Sequence, residues 1–229
     1  MLKIKYKTIL ILLLILTIIS IDNIKASRNS LPLLGTIITV DPGHGGRDSG
    51  TMYNKTLEKD LNLEISKYLE QELTKKGAIT YMTRESDVDL SSRYDKKKKR
   101  GDLYRRLLFI RKNHSEMYLS IHINWYKNEN YQGAEVLYNP INKENKVLAE
   151  YIMNEFKQEL GSKRNIKTTD LYMYKNTNIP GVLIECGYLS NYLDRKRLQD
   201  PIYQKKISRV ITNAVIKYLK SKDKIKYIL

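Results

Sequence analysis

The chain has 229 residues, of which 41 are Lys or Arg and 25 are Asp or Glu, so its formal net charge is +16. This length suits one domain with a substantial core better than two. A hydrophobic content of 41% is typical of a globular protein and argues against a largely disordered one. The charge favours an anionic partner such as nucleic acid, acidic lipid or a cell-wall polymer. Because Cys186 is the only cysteine, an intrachain disulfide is excluded.

The amino terminus has the pattern of an export signal. Three lysines among the first seven residues precede an apolar stretch at 9–19, which a single Thr interrupts. This stretch is shorter than the roughly 20 residues of a usual bilayer-spanning helix. We predict that residues 1–26 are a signal peptide or an N-terminal membrane anchor, that 27–35 form a linker, and that the protein is exported. Export favours a wall polymer or anionic lipid over nucleic acid, for which the sequence has no helix-turn-helix or zinc-finger spacing.

From residue 36 onward, strand-like and helix-like patterns alternate, which predicts one α/β domain over 36–221. The predicted strands are 36–41, 78–83, 118–124, 134–138 and 182–185, and the predicted helices are 56–76, 104–112, 146–160 and 203–219. The run at 95–100 contains five consecutive basic residues. Because such charges are not buried unpaired, we predict a solvated loop there.

Polar side chains fall at the ends of three predicted strands. His44 follows the first strand, His122 lies near the end of the third in chain order, and Glu185 ends the last. Open α/β sheets bind ligands at this edge, so these groups can meet in space. Glu58 lies on the apolar stripe of its helix, where a carboxylate needs a cation or a donor. Two simpler interpretations stay open: each histidine is a hydrogen-bonded structural residue, and Glu58 is favoured by the helix N-terminus.

Taken together, these side chains indicate metal-assisted hydrolysis. Two histidines and one glutamate make a zinc shell with one position open to water, and a second carboxylate then suits a general base for amide hydrolysis. The sequence has no His-Glu-x-x-His stretch, which excludes that helix-borne arrangement. We predict that His114 lies at the surface, and that Cys186 is a buried structural thiol rather than a nucleophile.

Five segments resemble a known family and follow its order. They are 41–50 (DPGHGGRDSG), 58–63 (EKDLNL), 120–124 (SIHIN), 133–136 (GAEV) and 185–191 (ECGYLSN). The family is that of the zinc-dependent N-acetylmuramoyl-L-alanine amidases, Amidase_3, and the resemblance runs from about residue 36 to residue 218.

The resemblance implies a twisted mixed β-sheet flanked by helices on both faces, Zn²⁺ as cofactor, and cleavage of the amide between N-acetylmuramic acid and L-alanine in peptidoglycan. By match to the family's motifs, His44, Glu58 and His122 are the zinc ligands and Glu185 is the catalytic glutamate. Arg106 falls where the family often has an arginine, although a second arginine precedes it directly.

The sequence departs from the family pattern at two places. The basic run at 95–100 is not a family motif, and Ser49 replaces a commoner proline. We expect neither departure to touch the site.

A single domain with its own signal or anchor and without wall-binding repeats resembles the germination-specific CwlD type of this family. This type implies trimming of spore-cortex peptidoglycan towards muramic-δ-lactam, in the cell wall or the spore intermembrane space. Resemblance to the clostridial members of this type also implies an activating lipoprotein partner. Two alternatives stay open: a zinc peptidase that acts on the stem peptide of peptidoglycan, and a catalytically inactive basic wall-binding protein.

Overall fold

The computed structural model describes Tyr6 and residues 8–18 and 30–226. Most of the segment 1–26, predicted as a signal peptide or anchor, lies outside these residues, and its described part at 8–18 is helical and exposed. Within the described ranges, no helix combines the length and the apolar character needed to cross a membrane. The function of this segment stays a prediction.

One six-stranded sheet organises the domain. The strands among the described residues are β1 (Ile37–Pro42), β2 (Met52–Tyr53), β3 (Thr56–Leu57), β4 (Ile79–Met82), β5 (Met117–Asn124), β6 (Glu135–Tyr138), β7 (Lys167–Thr168) and β8 (Gly181–Tyr188). Six of them form a sheet in the order β4-β1-β5-β8-β6-β7, and β2 and β3 form a separate hairpin. Because β6 is antiparallel to β8 while the other four pairings are parallel, the sheet is mixed, as predicted.

The four predicted helices are present with shifted bounds, the last of them extending beyond its predicted end at 219, and two short helices are additional to the prediction. They are α1 (Glu58–Lys75), α2 (Lys98–Lys112), α3 (Lys143–Leu160), α4 (Tyr172–Lys175), α5 (Tyr192–Leu198) and α6 (Pro201–Lys226). Helix α1 begins at Glu58 and not at Thr56, because Thr56 pairs with Tyr53 in the β2–β3 hairpin. Helix α2 begins at Lys98, so the prediction of a loop over 95–100 is wrong for its second half.

The main core lies on one face of the sheet, beneath α1, α3 and α6. Ile65, Leu69 and Leu73 follow one stripe of α1 at four-residue spacing, and each is completely buried. Full burial of such a side chain contributes about 1.5–3 kcal/mol, so this stripe fixes the helix on the sheet. Because α1 is held along its length, Glu58 in its first turn has a fixed position at the carboxyl edge of the sheet.

A smaller core covers the other face, where α2 and α4 pack. It contains Ile110 from α2, Met173 and Tyr174 from α4, and Tyr118 and Leu183 from the sheet. The sheet therefore has helices on both faces, as predicted. Side chains of a strand alternate between faces, so the odd-numbered residues of β5 enter the main core and leave Ser120, His122 and Asn124 on the α2 and α4 face.

The segment ahead of β1 packs against the domain. Leu33 is fully buried in the main core, and its N–H donates to Lys76 O at 2.9 Å. Gly35 N–H donates to Gly77 O at 3.2 Å. The end of the predicted linker at 27–35 is thus held beside the last turn of α1, at the amino edge of the sheet.

Candidate metal centre and active site

His44 lies in the loop after β1, in a left-handed backbone conformation. Its φ is 62°, and the following Gly45 and Gly46 have φ of 131° and 56°. Such a conformation costs a residue with a Cβ about 1 kcal/mol or more, and it persists only where the surroundings determine the backbone. The contacts that determine it here come from three buried side chains.

Arg84, Arg106 and Asn62 bind the backbone carbonyls of residues 42–44. Arg106 donates to the carbonyls of residues 42 and 44 at 2.6 and 2.5 Å. Arg84 donates to the carbonyls of residues 42 and 43 at 3.1 and 2.9 Å, and Asn62 also donates to that of residue 43, at 3.2 Å. All three side chains belong to residues that are less than 5% exposed. The loop that carries His44 is therefore fixed from inside the protein.

The charge of Arg106 is compensated by two buried carboxylates. Its Nη1 lies 2.8 Å from Asp41 Oδ1 and its Nε lies 2.7 Å from Asp102 Oδ2. Asp41 also accepts hydrogen bonds from Thr83 and Ser120, both at 2.6 Å. Burial alone would raise the pKa of Asp41, but the Arg106 charge and these hydrogen bonds hold it below its usual value. The ion pair of Arg106 and Asp41 is fully hydrogen-bonded, so removal of either residue leaves an uncompensated buried charge.

His44, Glu58 and His122 converge on a single carboxylate oxygen. Nε2 of His44 lies 3.2 Å from Glu58 Oε1, and Nδ1 of His122 lies 3.1 Å from the same atom. One ligand atom from each residue falls within 4.8 Å of the other two. Two imidazole nitrogens and a carboxylate oxygen form a donor set that zinc accepts in catalytic sites, so the residues present fit this metal.

Two glycines leave the space in which these side chains meet. A Cβ at Gly43 would lie 2.3 Å from Cε1 of His122. A Cβ at Gly50 would lie 2.6 Å from Glu58 Oε2 and 2.7 Å from Cδ2 of His44. Any larger residue at either position would displace a candidate ligand. The glycines of the 41–50 motif therefore do more than turn the chain.

Glu58 is held as a buried anion. Its residue is 4% exposed, Oε2 accepts Thr51 N–H at 2.8 Å, and Oε1 accepts Ile123 N–H at 3.2 Å. Burial would raise the pKa of Glu58, but hydrogen bonds and charge interactions with His122 and His44 hold it well below its usual value. The position in the first turn of α1 also favours a negative charge.

The other ring nitrogen of His44 faces a second carboxylate. Nδ1 of His44 lies 3.0 Å from Asp48 Oδ1, although the two atoms are not aligned for a hydrogen bond. Such a carboxylate behind a metal-binding histidine commonly fixes the orientation and the tautomer of the ring.

Glu185 lies beside the three candidate ligands on the neighbouring strand. It is in register with His122 across the β5–β8 pair and lines the same cleft. Its Oε2 is buried and has no hydrogen-bond partner among the residues that the structure describes. Burial and the negative charges of Glu58 and Glu135 raise the pKa of Glu185 well above its usual value. A carboxylate with an unused oxygen and a raised proton affinity is suited to accept a proton.

Comparison with known proteins identifies the family. Residues 38–217 match the family model of Amidase_3, described as N-acetylmuramoyl-L-alanine amidase. The chain belongs to this family. It is therefore an enzyme of the N-acetylmuramoyl-L-alanine amidase class, whose substrate is peptidoglycan.

Curated amidases and solved amidase structures agree with this assignment. The germination-specific N-acetylmuramoyl-L-alanine amidase of Bacillus subtilis is 37% identical over 198 residues, which cover 84% of each protein. The amidase LytC of the same organism is 30% identical over 196 residues, which are 84% of this chain but only 37% of LytC.

Among solved structures, the CwlD amidase of Clostridioides difficile, determined in complex with the GerS lipoprotein, has a TM-score of 0.78 and 35% identity. The match covers 82% of this chain and 100% of that one. AmiC2 of Nostoc punctiforme has a TM-score of 0.71 and 28% identity, over 81% of this chain and 97% of that one. These matches confirm the predicted family and fold.

The amidase cleft has a volume of about 550 Å³ and includes residues that the sequence did not single out. Trp125 follows β5 at the cleft, and Leu171 and Tyr172 line it from the region of α4. Neither a short helix such as α4 nor an exposed tryptophan gives a periodic signal. The one clue available was that Trp125 lies three residues after His122.

The expectation that the basic run at 95–100 does not touch the site is wrong. Because α2 begins at Lys98, Lys99 lines the cleft, and its Nζ lies 3.8 Å from Asp48 Oδ2. Asp95 is bound by Arg105, at 2.5 Å between Nη1 and Oδ2. Arg105 therefore holds the start of α2, while Arg106 holds the His44 loop.

The two remaining candidates lie where the sequence predicts them. His114 is exposed, with φ of 52°. Cys186 is 1% exposed in the main core, and burial raises the pKa of its thiol above the usual value. The nucleophile interpretation of Cys186 therefore has no support.

Proposed function

We propose that the protein is a zinc-dependent amidase in which Nε2 of His44, Oε1 of Glu58 and Nδ1 of His122 hold the metal, and Glu185 is the general base. The observation that carries this proposal is the convergence of three ligand atoms within 4.8 Å on a fixed framework. The buried, unpartnered Oε2 of Glu185 in the same cleft supports the second role.

Zinc in such a site acts as a Lewis acid towards the substrate carbonyl and increases the acidity of water. The chain's own residues do the rest of the work. Glu185 takes a proton from the attacking water as the water oxygen bonds to the carbonyl carbon of the lactyl amide. The same carboxyl group then gives the proton to the nitrogen of L-alanine as the C–N bond breaks. The products are a glycan with a free lactyl carboxylate and a peptide with a free amine.

We propose the spore cortex as the substrate, with the cleavage as a step towards the muramic-δ-lactam needed for germination. The germination-specific relative from B. subtilis supports this, because the match covers 84% of both chains. The predicted export signal at 1–26 supports action in the cell wall or the spore intermembrane space, with the N-terminus either cleaved or retained at a membrane. The CwlD amidase that was solved with the GerS lipoprotein supports a lipoprotein as an activating partner for this chain as well.

Mass analysis of wall fragments tests the bond that is cleaved. Zinc-loaded protein is incubated with cortex peptidoglycan and, in parallel, with vegetative peptidoglycan. We expect peptide-free glycans with lactyl carboxylates and intact stem peptides, with more product from cortex. Shortened stem peptides that are still attached to sugar would indicate a peptidase instead. Binding to the wall without any products, both alone and with the lipoprotein partner added, would indicate an inactive wall-binding protein.

A matched variant tests the role of Glu185. Glu185→Gln keeps the shape of the side chain and removes its ability to accept a proton. We expect the variant to bind zinc as tightly as the wild-type protein and to release no peptide. Full activity in this variant would refute the assignment of the base.

A further inference from the structure

A single tryptophan lies at the cleft with its ring open to solvent. Trp125 is the only tryptophan of the chain and comes directly after the last residue of β5. It lines the cleft beside His122 and is 46% exposed. The main core does not include it, so the fold gives little reason for a large aromatic residue here. Solvent-exposed aromatic side chains at the edge of a ligand cleft are typical ligand contacts.

The loop that follows Trp125 is braced, so the backbone that carries the indole has a defined position. The N–H of Tyr126 donates to Ser190 Oγ at 3.2 Å. The rings of Tyr126 and Tyr131 pack with centroids 4.4 Å apart, and the guanidinium of Arg164 lies 4.8 Å from the Tyr131 ring centroid. A side chain on a fixed backbone loses less entropy when it binds a ligand.

Charge is unevenly distributed around the cleft. Lys99 lines it from α2 with a side chain that is 74% exposed, and Arg100 lies 5.4 Å from the ring centroid of Tyr172, which also lines it. Among the described residues of the segment after β5, only Trp125 lines the cleft, and it is uncharged. The lining from α2 and the lining after β5 therefore suit different chemical groups.

The substrate of an N-acetylmuramoyl-L-alanine amidase has a matching division. Its stem peptide carries carboxylates, which cations such as Lys99 attract. Its glycan strand presents pyranose rings with apolar C–H faces, which pack against an aromatic ring. We propose that Trp125 stacks on a sugar ring of the glycan strand and so holds the muramic acid next to the metal site. This proposal rests on the proposed function, because it assumes that the scissile amide enters the cleft.

Intrinsic fluorescence tests the contact without any catalysis. Because Trp125 is the only tryptophan, selective excitation of tryptophan reports on this residue alone. The zinc-loaded full chain is titrated with a peptide-free muramic acid-containing tetrasaccharide and, separately, with the free stem peptide. We expect a saturable change in emission with the sugar and little change with the peptide. A change with the peptide alone, or with neither probe, would overturn the proposal.

Two variants of Trp125 and one control extend the test to turnover. Trp125→Ala should raise KM for peptidoglycan fragments about tenfold, the size expected for loss of an aromatic stacking contact, with a smaller effect on kcat. Trp125→Phe should recover most of the affinity. The control is Tyr192→Ala, which removes a ring that is 64% exposed outside the cleft and should leave KM unchanged.

The outcomes separate this proposal from the proposed function. If the wild-type protein releases no peptide but the sugar still changes the Trp125 emission, the amidase assignment fails and the sugar contact stands. If peptide is released normally and Trp125→Ala has the wild-type KM, the amidase assignment stands and the sugar contact is wrong.

Discussion

Gly43→Ala is the sharpest test of how the metal site is built. An added Cβ would lie 2.3 to 2.6 Å from three ring atoms of His122, whereas carbon atoms in contact are ordinarily about 3.5 Å apart or more. The imidazole of His122 must therefore move by about 1 Å, or the loop must move by the same amount. The loop is held by Arg84, Arg106 and Asn62, so we expect the imidazole to give way.

Such a displacement affects metal binding far more than folding. Overpacking costs about 1–3 kcal/mol of unfolding free energy. The distance between a metal and its ligand atom, however, tolerates a change of only about 0.2 Å. Disturbance of the groups that support a ligand lowers metal affinity about 10–100-fold. Loss of His122 as a ligand should exceed that range. We expect Gly43→Ala to lower zinc affinity at least about 100-fold and to remove most of the amidase activity, while the protein stays folded.

Competition with a fluorescent zinc chelator measures the affinity, and urea unfolding of the metal-free protein measures the stability. Gly181→Ala is the matched control, because its Cβ would lie 2.1 Å from the ring of Tyr118, which is not a candidate ligand. This variant should lose stability and keep its zinc affinity. If Gly43→Ala behaves like this control, losing stability but binding zinc as tightly as the wild-type protein, Gly43 is not required for the metal site.

Three further predictions follow from the buried charges. Glu185→Gln should lower kcat at least about 100-fold without loss of zinc, measured by product release and metal content. Arg106→Met should destabilise the protein by about 3–5 kcal/mol in urea unfolding, because it leaves the buried Asp41 carboxylate unpaired. The control Arg105→Met breaks a partly exposed ion pair with Asp95 and should lower the unfolding free energy by less than about 1 kcal/mol. Because the pKa of Asp41 is lowered on folding, its contribution to stability is present above the unfolded value of 3.8 and should be lost as the pH falls below it; Asp41→Asn should abolish this dependence.

Much of the fold could be predicted from local patterns. The stripe of α1 and the alternation along β5 each follow from one periodicity, and both place a site residue directly. The alternation puts His122 on the face opposite the main core, and the stripe brings Glu58 to the edge of the sheet. The order and direction of the strands needed more than this, since the antiparallel β6 is inserted between β8 and β7 by contacts distant in the sequence.

The residues that hold the site could not be predicted in the same way. Arg84 looks like a surface charge in the sequence, and Arg106 is marked only by the family resemblance. Only the three-dimensional structure shows both buried against the carbonyls of 42–44. The start of α2 was missed because a run of lysines has no apolar periodicity, although lysine is a good helix former. The sequence therefore predicts a solvated loop at Lys99, whereas the structure places this residue at the cleft.

The packing of residues 33–35 beside the last turn of α1 fixes the point at which the chain enters the domain. The chain enters the domain at the amino edge of the sheet, while the metal site lies at the carboxyl edge, beyond the six residues of β1. That strand alone spans about 20 Å. If the predicted segment 1–26 is retained in a membrane, its linker joins the domain at the opposite edge of the sheet from the cleft. The junction with an anchor would then leave the cleft uncovered.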